Sequence, residues 1–304
     1  PPRSTLFPYT TLFRSNAINK RTGARYEKGE AVCSEEMIWC ATCRPCVDGY
    51  PNNCEQLQEL GFSVDGAYAR YIKVDARYLW SLEPLRERYG DDKVYLLGSL
   101  VEPTSVAYMA VIERGGGIRA GDHVLIMGSG PVGIAACAVL RRSGAASVIM
   151  SEPSAARRQM ALSLGATHVI DPASTDVAEA VLDITKGMGA KLILEATGLP
   201  SVVWPVIEKV IWEGKQLNST VVIVARADDR IPLNGEVFQV RRASVVGSQG
   251  HSGHGTFPRV IESMATGMDM TSMITKQITL DQVEENLVQL QTNRTDVKVT
   301  VIPE

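Results

Sequence analysis

Two strings in this chain could do chemistry by residue type and spacing. The first is Cys40-Ala-Thr-Cys43-Arg-Pro-Cys46, followed after seven residues by Cys54, which puts four thiols within fifteen positions. Gaps of two residues let neighbouring sulfurs reach one tetrahedral ion at about 2.3 Å, the Zn–S distance of closed structural sites. Disulfides and iron–sulfur ligation are the alternatives. An enzyme-like chain with no visible secretion feature argues against disulfides. The seven-residue gap and the absence of a Cys-Pro pair argue against a ferredoxin-type cluster. Four thiolates leave no open coordination position, so zinc held by Cys40, Cys43, Cys46 and Cys54 would fix a loop and do no chemistry. Cys33 and Cys137 fall outside the spacing and are expected as buried apolar fillers.

The second string is Gly128-Ser129-Gly130-Pro131-Val132-Gly133, a G-x-G-x-x-G element. An apolar run, His123 to Met127, precedes it and an Ala-rich helix pattern follows, the context that gives the motif its meaning. Gly128 permits a tight turn, Gly130 clears the approach of a pyrophosphate to backbone, and Gly133 lets the helix pack close to the strand. The helix N-terminal N–H groups would then face phosphate. Glu152 ends the next apolar run, nineteen residues after Gly133. A carboxylate there accepts hydrogen bonds from adenosine ribose hydroxyls and repels a 2′-phosphate, which favours NAD over NADP. Arg157, one turn into the following helix, either softens that exclusion or packs over adenine.

These residues need elements to position them. The 304 residues are 45% hydrophobic and 21% charged with a formal net charge of −3, an ordinary globular composition. That balance excludes a disordered tail and a broad basic nucleic-acid surface. A zinc ribbon gripping nucleic acid would want basic and aromatic residues around the cysteines, whereas Glu35, Glu36, Asp48 and Glu55 offset Arg44. No run of eighteen apolar residues occurs, so no membrane-spanning helix is expected. From Asn16 to about Leu85 the chain reads as loops and short strands, with Ala67 to Val74 alternating as a half-buried strand. A helix is expected over Pro103 to Arg114, stopped by Gly115-Gly116-Gly117. Strands follow at His123 to Met127, Ser147 to Ser151, His168 to Ile170, Lys191 to Glu195 and Thr220 to Ala225. Between them lie helices at Val132 to Ser143, Ala155 to Leu164, Val177 to Lys186 and Val202 to Trp212. Repeated strand–helix–strand units predict an α/β, doubly wound parallel sheet. Two more helices, Pro258 to Thr266 and Leu280 to Gln291, and a strand at Val297 to Ile302 close the chain. Pro1 to Ser15 repeats Thr-Leu-Phe and Arg-Ser about Pro8-Tyr9 and fits neither period. It reads as a translated sequencing adapter and is set aside from the fold.

The cysteine lobe followed by the glycine motif resembles the zinc-containing medium-chain alcohol and polyol dehydrogenases, over almost all of Asn16 to Glu304. Supporting strings are Asp65-Gly66-Ala67-Tyr68-Ala69-Arg70-Tyr71, Leu100-Val101-Glu102-Pro103-Thr104-Ser105-Val106, Leu194-Glu195-Ala196-Thr197-Gly198 and Val297-Lys298-Val299. The resemblance implies a Rossmann domain, 105–250, inserted in a GroES-like β-rich catalytic domain, 16–104 with 251–304, that holds the zinc lobe at 40–54. It implies a second, catalytic zinc that lowers the substrate hydroxyl's pKa while hydride passes to nicotinamide. Glu102 falls at the family's later ligand position; its alternative is a helix N-terminal acid complementing the dipole. Val132 matches the position behind the nicotinamide, and Thr197 and Val224 match strand ends lining the cofactor site. The family's first catalytic Cys and its Gly-His-Glu motif belong upstream of Asn16 and do not occur, so the catalytic domain is expected to be N-terminally truncated. This polypeptide is accordingly expected to bind NAD and one structural zinc and to have little activity.

His123 and His168 sit on expected strands, while His251 and His254 sit in Gly250-His251-Ser252-Gly253-His254-Gly255. That pair reads as exposed imidazoles on a loop touching substrate or a neighbouring subunit, in preference to a replacement zinc site. Within the family, Arg114-Gly-Gly-Gly-Ile-Arg119, Gly235 to Arg242 and Gly247 to Pro258 look closest to bacterial sugar and cyclitol dehydrogenases of inositol catabolism, the scyllo-inosose type included. Sorbitol, threonine and butanediol types share the Glu102-Pro103 context, and a catalytically dead NAD-binding module is a further alternative. The implied partners are a small alcohol or polyol and further copies of the chain in a homodimer or homotetramer, with the strand near Val221 to Val224 pairing across a twofold axis. No nucleic acid or membrane is implied, and a cytoplasmic location is expected.

Overall fold

The structure is a computed structural model that describes residues 10–12, 16–228 and 230–302. It divides into two units, one of residues 1–105 and 250–304 and the other of residues 106–249.

The second unit is built on six parallel strands. His123–Met127, Ser147–Ser151 and Leu192–Glu195 are apolar runs buried along almost their whole length, as strands covered on both faces must be. Numbering the six strands in chain order, they lie 3-2-1-4-5-6 across the sheet. His123–Met127 therefore has Ser147–Ser151 on one side and Leu192–Glu195 on the other, with Met127 opposite both Ser151 and Glu195. The strand order reverses between the first and fourth strands, and in such sheets ligands bind beyond the carboxyl ends at that point. Helices start with local devices: Pro131 occupies the first turn of Pro131–Arg142, and Asp176 caps Val177–Ile184 by accepting the Glu179 N–H at 3.0 Å. One face of the sheet buries Leu125, Ile149, Ile193 and Val221 against Trp204, Ile207 and Val181. The sixth strand, Ser244–Gly247, and the helix Gly235–Arg241 before it were not expected. That strand flanks Thr220–Ile223, so the Val221 strand is interior and does not offer the free edge that pairing across a twofold axis needs.

The first unit is made of short pieces. Ala31–Ser34 is the middle strand of three, antiparallel to Leu79–Ser81 and to Thr10–Leu12. Thr10–Leu12 belongs to the segment set aside on sequence. Ladder hydrogen bonds are made by backbone, so an edge takes up a segment whose side chains show no strand period. The rest of Pro1 to Ser15 lies outside the described residues. Ala67 to Val74 is not a strand. Ala67, Ile72 and Val74 do pack in a small cluster with Leu60 and Ile38, but residues 68–71 are all exposed, so burial alternates only over the last four residues and no partner strand pairs there. Leu280 to Gln291 resolves into a 3-10 turn, Leu280–Gln282, and a helix, Val283–Gln289, and the chain closes with Ile274–Ile278 parallel to Lys298–Val301.

The helix expected from Pro103 begins twelve residues earlier. It runs Asp91–Tyr108, continues as a π-helical segment, Met109–Arg114, and carries Pro103 inside. Proline at a first turn is a common local signal, but Val94, Leu97, Leu100, Val101 and Thr104 are all fully buried. Burying five such residues outweighs the ~3 kcal/mol of an internal proline. Asp91–Arg114 is also long and apolar enough to cross a membrane, yet 72% of its apolar window is buried in protein, as in a core helix.

Candidate active site

The glycine turn sits at the carboxyl end of His123–Met127. Gly128 has φ +99°, and a Cβ there would meet the Ala196 carbonyl and the Thr197 methyl at 3.2 Å. At Gly133 a Cβ would lie 2.1 Å from the Gly128 carbonyl oxygen, so the turn closes only with glycine at that position. Gly130 differs: nothing lies within 4 Å of where its Cβ would be. It caps Pro131–Arg142, and its carbonyl accepts the Ile134 N–H at 2.9 Å. The helix is long enough for its first-turn N–H groups to carry the positive end of a dipole. Val132 is half-buried in that turn.

Glu152 is buried beside the turn. One carboxylate oxygen accepts the Ser129 N–H at 2.8 Å and the other the Ser154 N–H at 2.9 Å. Arg158 donates to the Glu152 and Pro153 carbonyls and pairs with Asp171 at 3.1 Å, which fixes the strand end. Arg157 is half-buried in the first turn of Ala155–Ser163. Across the reversal point, one oxygen of fully buried Glu195 accepts the Thr197 N–H and hydroxyl and the Gly198 N–H, holding Thr197 next to Gly128. Val224 donates its N–H to the Glu195 carbonyl at 3.1 Å.

In the other unit, the sulfurs of Cys40, Cys43, Cys46 and Cys54 lie within 4.8 Å of one another, and all six cysteines are free thiols. Cys43 and Cys54 Sγ are 3.8 Å apart, the edge expected of a tetrahedron with ~2.3 Å bonds. Ala41 takes φ +69° to turn the chain between Cys40 and Cys43. The Thr42 hydroxyl and the Thr42 and Cys43 N–H groups donate to Cys40 Sγ and hold that thiol down to about 5. Burial and the neighbouring sulfurs push Cys46 up to about 12. Four sulfurs so close share their charge comfortably only around a cation, and this set fits a structural zinc.

A second cluster lies in the same unit. Glu36 follows the strand Ala31–Ser34, Glu102 sits mid-helix in Asp91–Tyr108, and His251 enters from the 250s loop. His251 is 0% exposed, Glu36 7% and Glu102 9%. His251 Nε2 is 3.1 Å from Glu36 Oε2 and 3.7 Å from Glu102 Oε1. Burial alone would lower the imidazole's pKa, but the Glu36 hydrogen bond and the charges of Glu102, Glu36 and Glu35 raise it above the usual histidine value. Burial raises Glu102, with Glu36 adding to the rise and His251 and Lys298 opposing it. Lys298, fully buried on the closing strand, is pulled down to about 7 by burial against the Glu102 charge.

Glu35 frames the cluster. It accepts from Arg21 and Trp80 at 2.9 Å on one oxygen and from Ser252 at 3.0 Å and Trp39 at 3.2 Å on the other. Arg21 lies over both indoles at 5.1 and 5.0 Å. Gly250, at φ +65°, packs so tightly on Met37 that a Cβ would fall 2.4 Å from its sulfur. Glycine there lets His251 reach Glu36.

Known proteins share this organisation. A family described as "Zinc-binding dehydrogenase" matches residues 131–266, and one described as "Alcohol dehydrogenase GroES-like domain" matches residues 17–84. The scyllo-inosose 3-dehydrogenase of Thermotoga maritima is 62% identical over 288 residues, 95% of this chain and 73% of that protein. The chain belongs to the zinc-binding alcohol dehydrogenase family. A Thermotoga maritima structure named as an alcohol dehydrogenase superposes with a TM-score of 0.92 at 62% identity, over 94% of this chain and 72% of its own. A Sinorhizobium meliloti zinc-binding dehydrogenase bound to NADP gives 0.81 at 26% identity, over 97% and 82%. The fold is thus the GroES-like unit with a Rossmann unit inserted, as the resemblance implied.

The structure gathers Gly128, Gly130, Val132, Gly133, Glu152, Thr197 and Val224 at the carboxyl end of one sheet, with Arg157 on the adjoining helix. Two sequence readings need correction. Glu102 is not a helix N-terminal acid, because the helix starts at Asp91. His251 is not an exposed loop imidazole; it is buried between two carboxylates, and of that loop pair it is His254 that is exposed. Sequence reasoning counted Glu36 merely as a charge offsetting Arg44. The separation of 215 positions between Glu36 and His251 left no spacing to read.

Proposed function

We propose that this dehydrogenase uses NAD to oxidise a secondary hydroxyl of a polyol or cyclitol, with a scyllo-inosose-type substrate first among the candidates. The observation that carries the cofactor reading is buried Glu152 bonded to the glycine turn. Its oxygens keep lone pairs for ribose hydroxyls, and its charge disfavours a 2′-phosphate. Gly130 leaves backbone open to a diphosphate, and the first turn of Pro131–Arg142 supplies N–H donors. Thr197, fixed by Glu195, and Val132 and Val224 shape the apolar side of that site. Arg157 stands where adenine would lie.

The substrate reading rests on the 62% identity to scyllo-inosose 3-dehydrogenase. Glu102 offers a buried carboxylate to a catalytic zinc, and Cys40, Cys43, Cys46 and Cys54 hold a structural one. A zinc bound at Glu102 would supply Lewis-acid lowering of the substrate hydroxyl's pKa. Lys298 balances the Glu102 charge in its desolvated setting.

Six free thiols fit a reducing compartment such as the cytoplasm. A homodimer or homotetramer would use the Ser244–Gly247 edge of the sheet. The test of function is NADH formation against a panel of inositols, inososes, sorbitol, threonine and butanediol. Turnover on the cyclitols above the others, at the low rate expected of a chain without the catalytic Cys and Gly-His-Glu, supports the reading, and preference for sorbitol or threonine replaces the substrate. In Glu152→Ala, the preference for NAD over NADP should fall about tenfold, roughly the 1.4 kcal/mol of one hydrogen bond to a charged group.

A further inference from the structure

We infer that Glu195 is a counter-charge for the oxidised nicotinamide, a buried carboxylate that tightens NAD+ relative to NADH and so sets the balance between the two bound forms. The role rests on the NAD reading of the Rossmann unit and adds to it a discrimination between oxidation states.

Position is the first support. Glu195 ends the fourth strand of the sheet, opposite Met127 on one side and Ile223 on the other. A dinucleotide spans the point where the strand order reverses, with its diphosphate on the turn after the first strand. Glu152, just past the second strand, takes the adenosine side, which leaves the nicotinamide side to the fourth and fifth strands. Glu195 is also bonded to residues read as lining the cofactor. Its Oε1 accepts the Thr197 N–H at 2.8 Å, the Thr197 hydroxyl at 2.5 Å and the Gly198 N–H at 3.0 Å. Its backbone carbonyl accepts the Val224 N–H at 3.1 Å.

Charge is the second. Glu195 is 0% exposed. Three donors converge on Oε1, two of them backbone N–H groups that can only donate, and these are the surroundings of an acceptor-only carboxylate. Oε2 is buried with no hydrogen-bond partner among the described residues. No lysine, arginine or histidine among those residues forms an ion pair with it. Glu152 differs, since each of its oxygens accepts a backbone N–H. An unopposed charge held out of water is costly, and a cation brought near it offsets part of that cost.

The cofactor supplies such a cation in one oxidation state only. The oxidised nicotinamide ring carries one positive charge. A hydride from the substrate carbon, two electrons with one proton, cancels it, while the hydroxyl's own proton leaves separately. Adenine, both riboses and the diphosphate are the same in the two forms. A fixed negative charge on the nicotinamide side therefore acts on the difference between NAD+ and NADH, and a difference in affinity is what shifts the bound balance. NAD+ is drawn in, and NADH loses that attraction once it has formed. This suits oxidation of an alcohol, where the reduced cofactor must leave before the next turnover.

The test is calorimetric titration of the full chain with NAD+, NADH and ADP-ribose, the last lacking the nicotinamide. Glu195→Gln removes the charge and keeps an acceptor oxygen for Thr197 and Gly198. It should weaken NAD+ relative to NADH by about fivefold to tenfold, the size of one charge pair at the effective dielectric of a protein, with ADP-ribose following NADH. Thr197→Val breaks a hydrogen bond to the same oxygen but keeps the charge, and should leave the ratio of NAD+ to NADH affinity unchanged. Glu195→Ser, neutral and smaller, places no buried amide at the site and must shift the ratio in the same direction.

Equal losses of all three ligands in both neutral variants would show that Glu195 only holds the Thr197 turn, and would overturn the inference. So would a ratio that moves as far in Thr197→Val as in Glu195→Gln. A folded wild-type chain that binds none of the three sinks the NAD reading itself. Binding of all three, with a ratio indifferent to the charge at Glu195, sinks the role of Glu195 alone.

Discussion

The two units build their sites in opposite ways. In the Rossmann unit, the site is a turn of six residues and one acid nineteen positions on, made largely of backbone. In the GroES-like unit, the Glu36, Glu102 and His251 cluster is made of side chains from three distant segments. Its members meet only because Gly250 packs on Met37 and Glu35 ties four groups together. A backbone site tolerates changes around it and fails at particular glycines. A side-chain site fails when its brace is removed, even where no member of the cluster is touched.

The sharpest way to break this contrast is Glu35→Ala. It strips an acceptor from Arg21, Trp39, Trp80 and Ser252, all partly or fully enclosed. Removing one partner of a buried charged network typically costs about 3–5 kcal/mol. Urea unfolding followed by tryptophan fluorescence should show a destabilisation of that size, while NADH affinity measured below the transition stays within about twofold. Parallel loss of NADH binding would show that the two sites are not separable.

Next in size is the pair of glycines. Gly133→Ala forces a Cβ to 2.1 Å from the Gly128 carbonyl, so the turn must open. Strain of this kind costs about 1–3 kcal/mol or more, and NADH binding should fall beyond detection in a titration. Gly130→Ala meets nothing within 4 Å, and its φ of −73° suits any residue. Its thermal midpoint should hold or rise slightly, since removing a glycine's freedom is worth ~0.4–1 kcal/mol, while NADH affinity drops at least about tenfold. Equal losses of stability in both variants would contradict the assignment of Gly130 to the ligand and Gly133 to the turn.

The same contrast explains what could be read in the sequence. His123–Met127, the glycines and Glu152 are contiguous, and a buried parallel strand followed by a helix leaves a local pattern. The cysteine lobe is legible for the same reason. Ala67 to Val74 shows the limit, because burial follows its alternation only over the last four residues and pairing depends on a neighbour the pattern does not contain. Pro103 misled by its local preference for a first turn, which a helix buried along its length overrode. Glu36 and His251 were illegible, since only the folded chain brings them together.

The smallest expected effect lies on the surface of the GroES-like unit. Burial alone would raise Asp269, but the Thr271 hydroxyl and N–H and the Lys93 ammonium at 3.0 Å hold it below the usual aspartate range. A lowered carboxyl stabilises above its unfolded pKa, ~3.9, and loses that contribution as pH falls through the folded value. With about a third of Asp269 exposed, Asp269→Asn should cost under ~1 kcal/mol near neutral pH, with the difference from wild type vanishing in acid. A pH series of urea midpoints checks the sign, and a larger difference in acid than at neutrality would reverse it.

The central claim is that a dinucleotide rests on the turn after Met127 with its ribose on Glu152. Isothermal titration of the folded wild-type chain with NADH and then NADPH tests it most directly. The account predicts one NADH per chain, bound at least about tenfold more tightly than NADPH. A chain that is folded by circular dichroism and gives no heat with NADH, or binds both nucleotides alike, would contradict it.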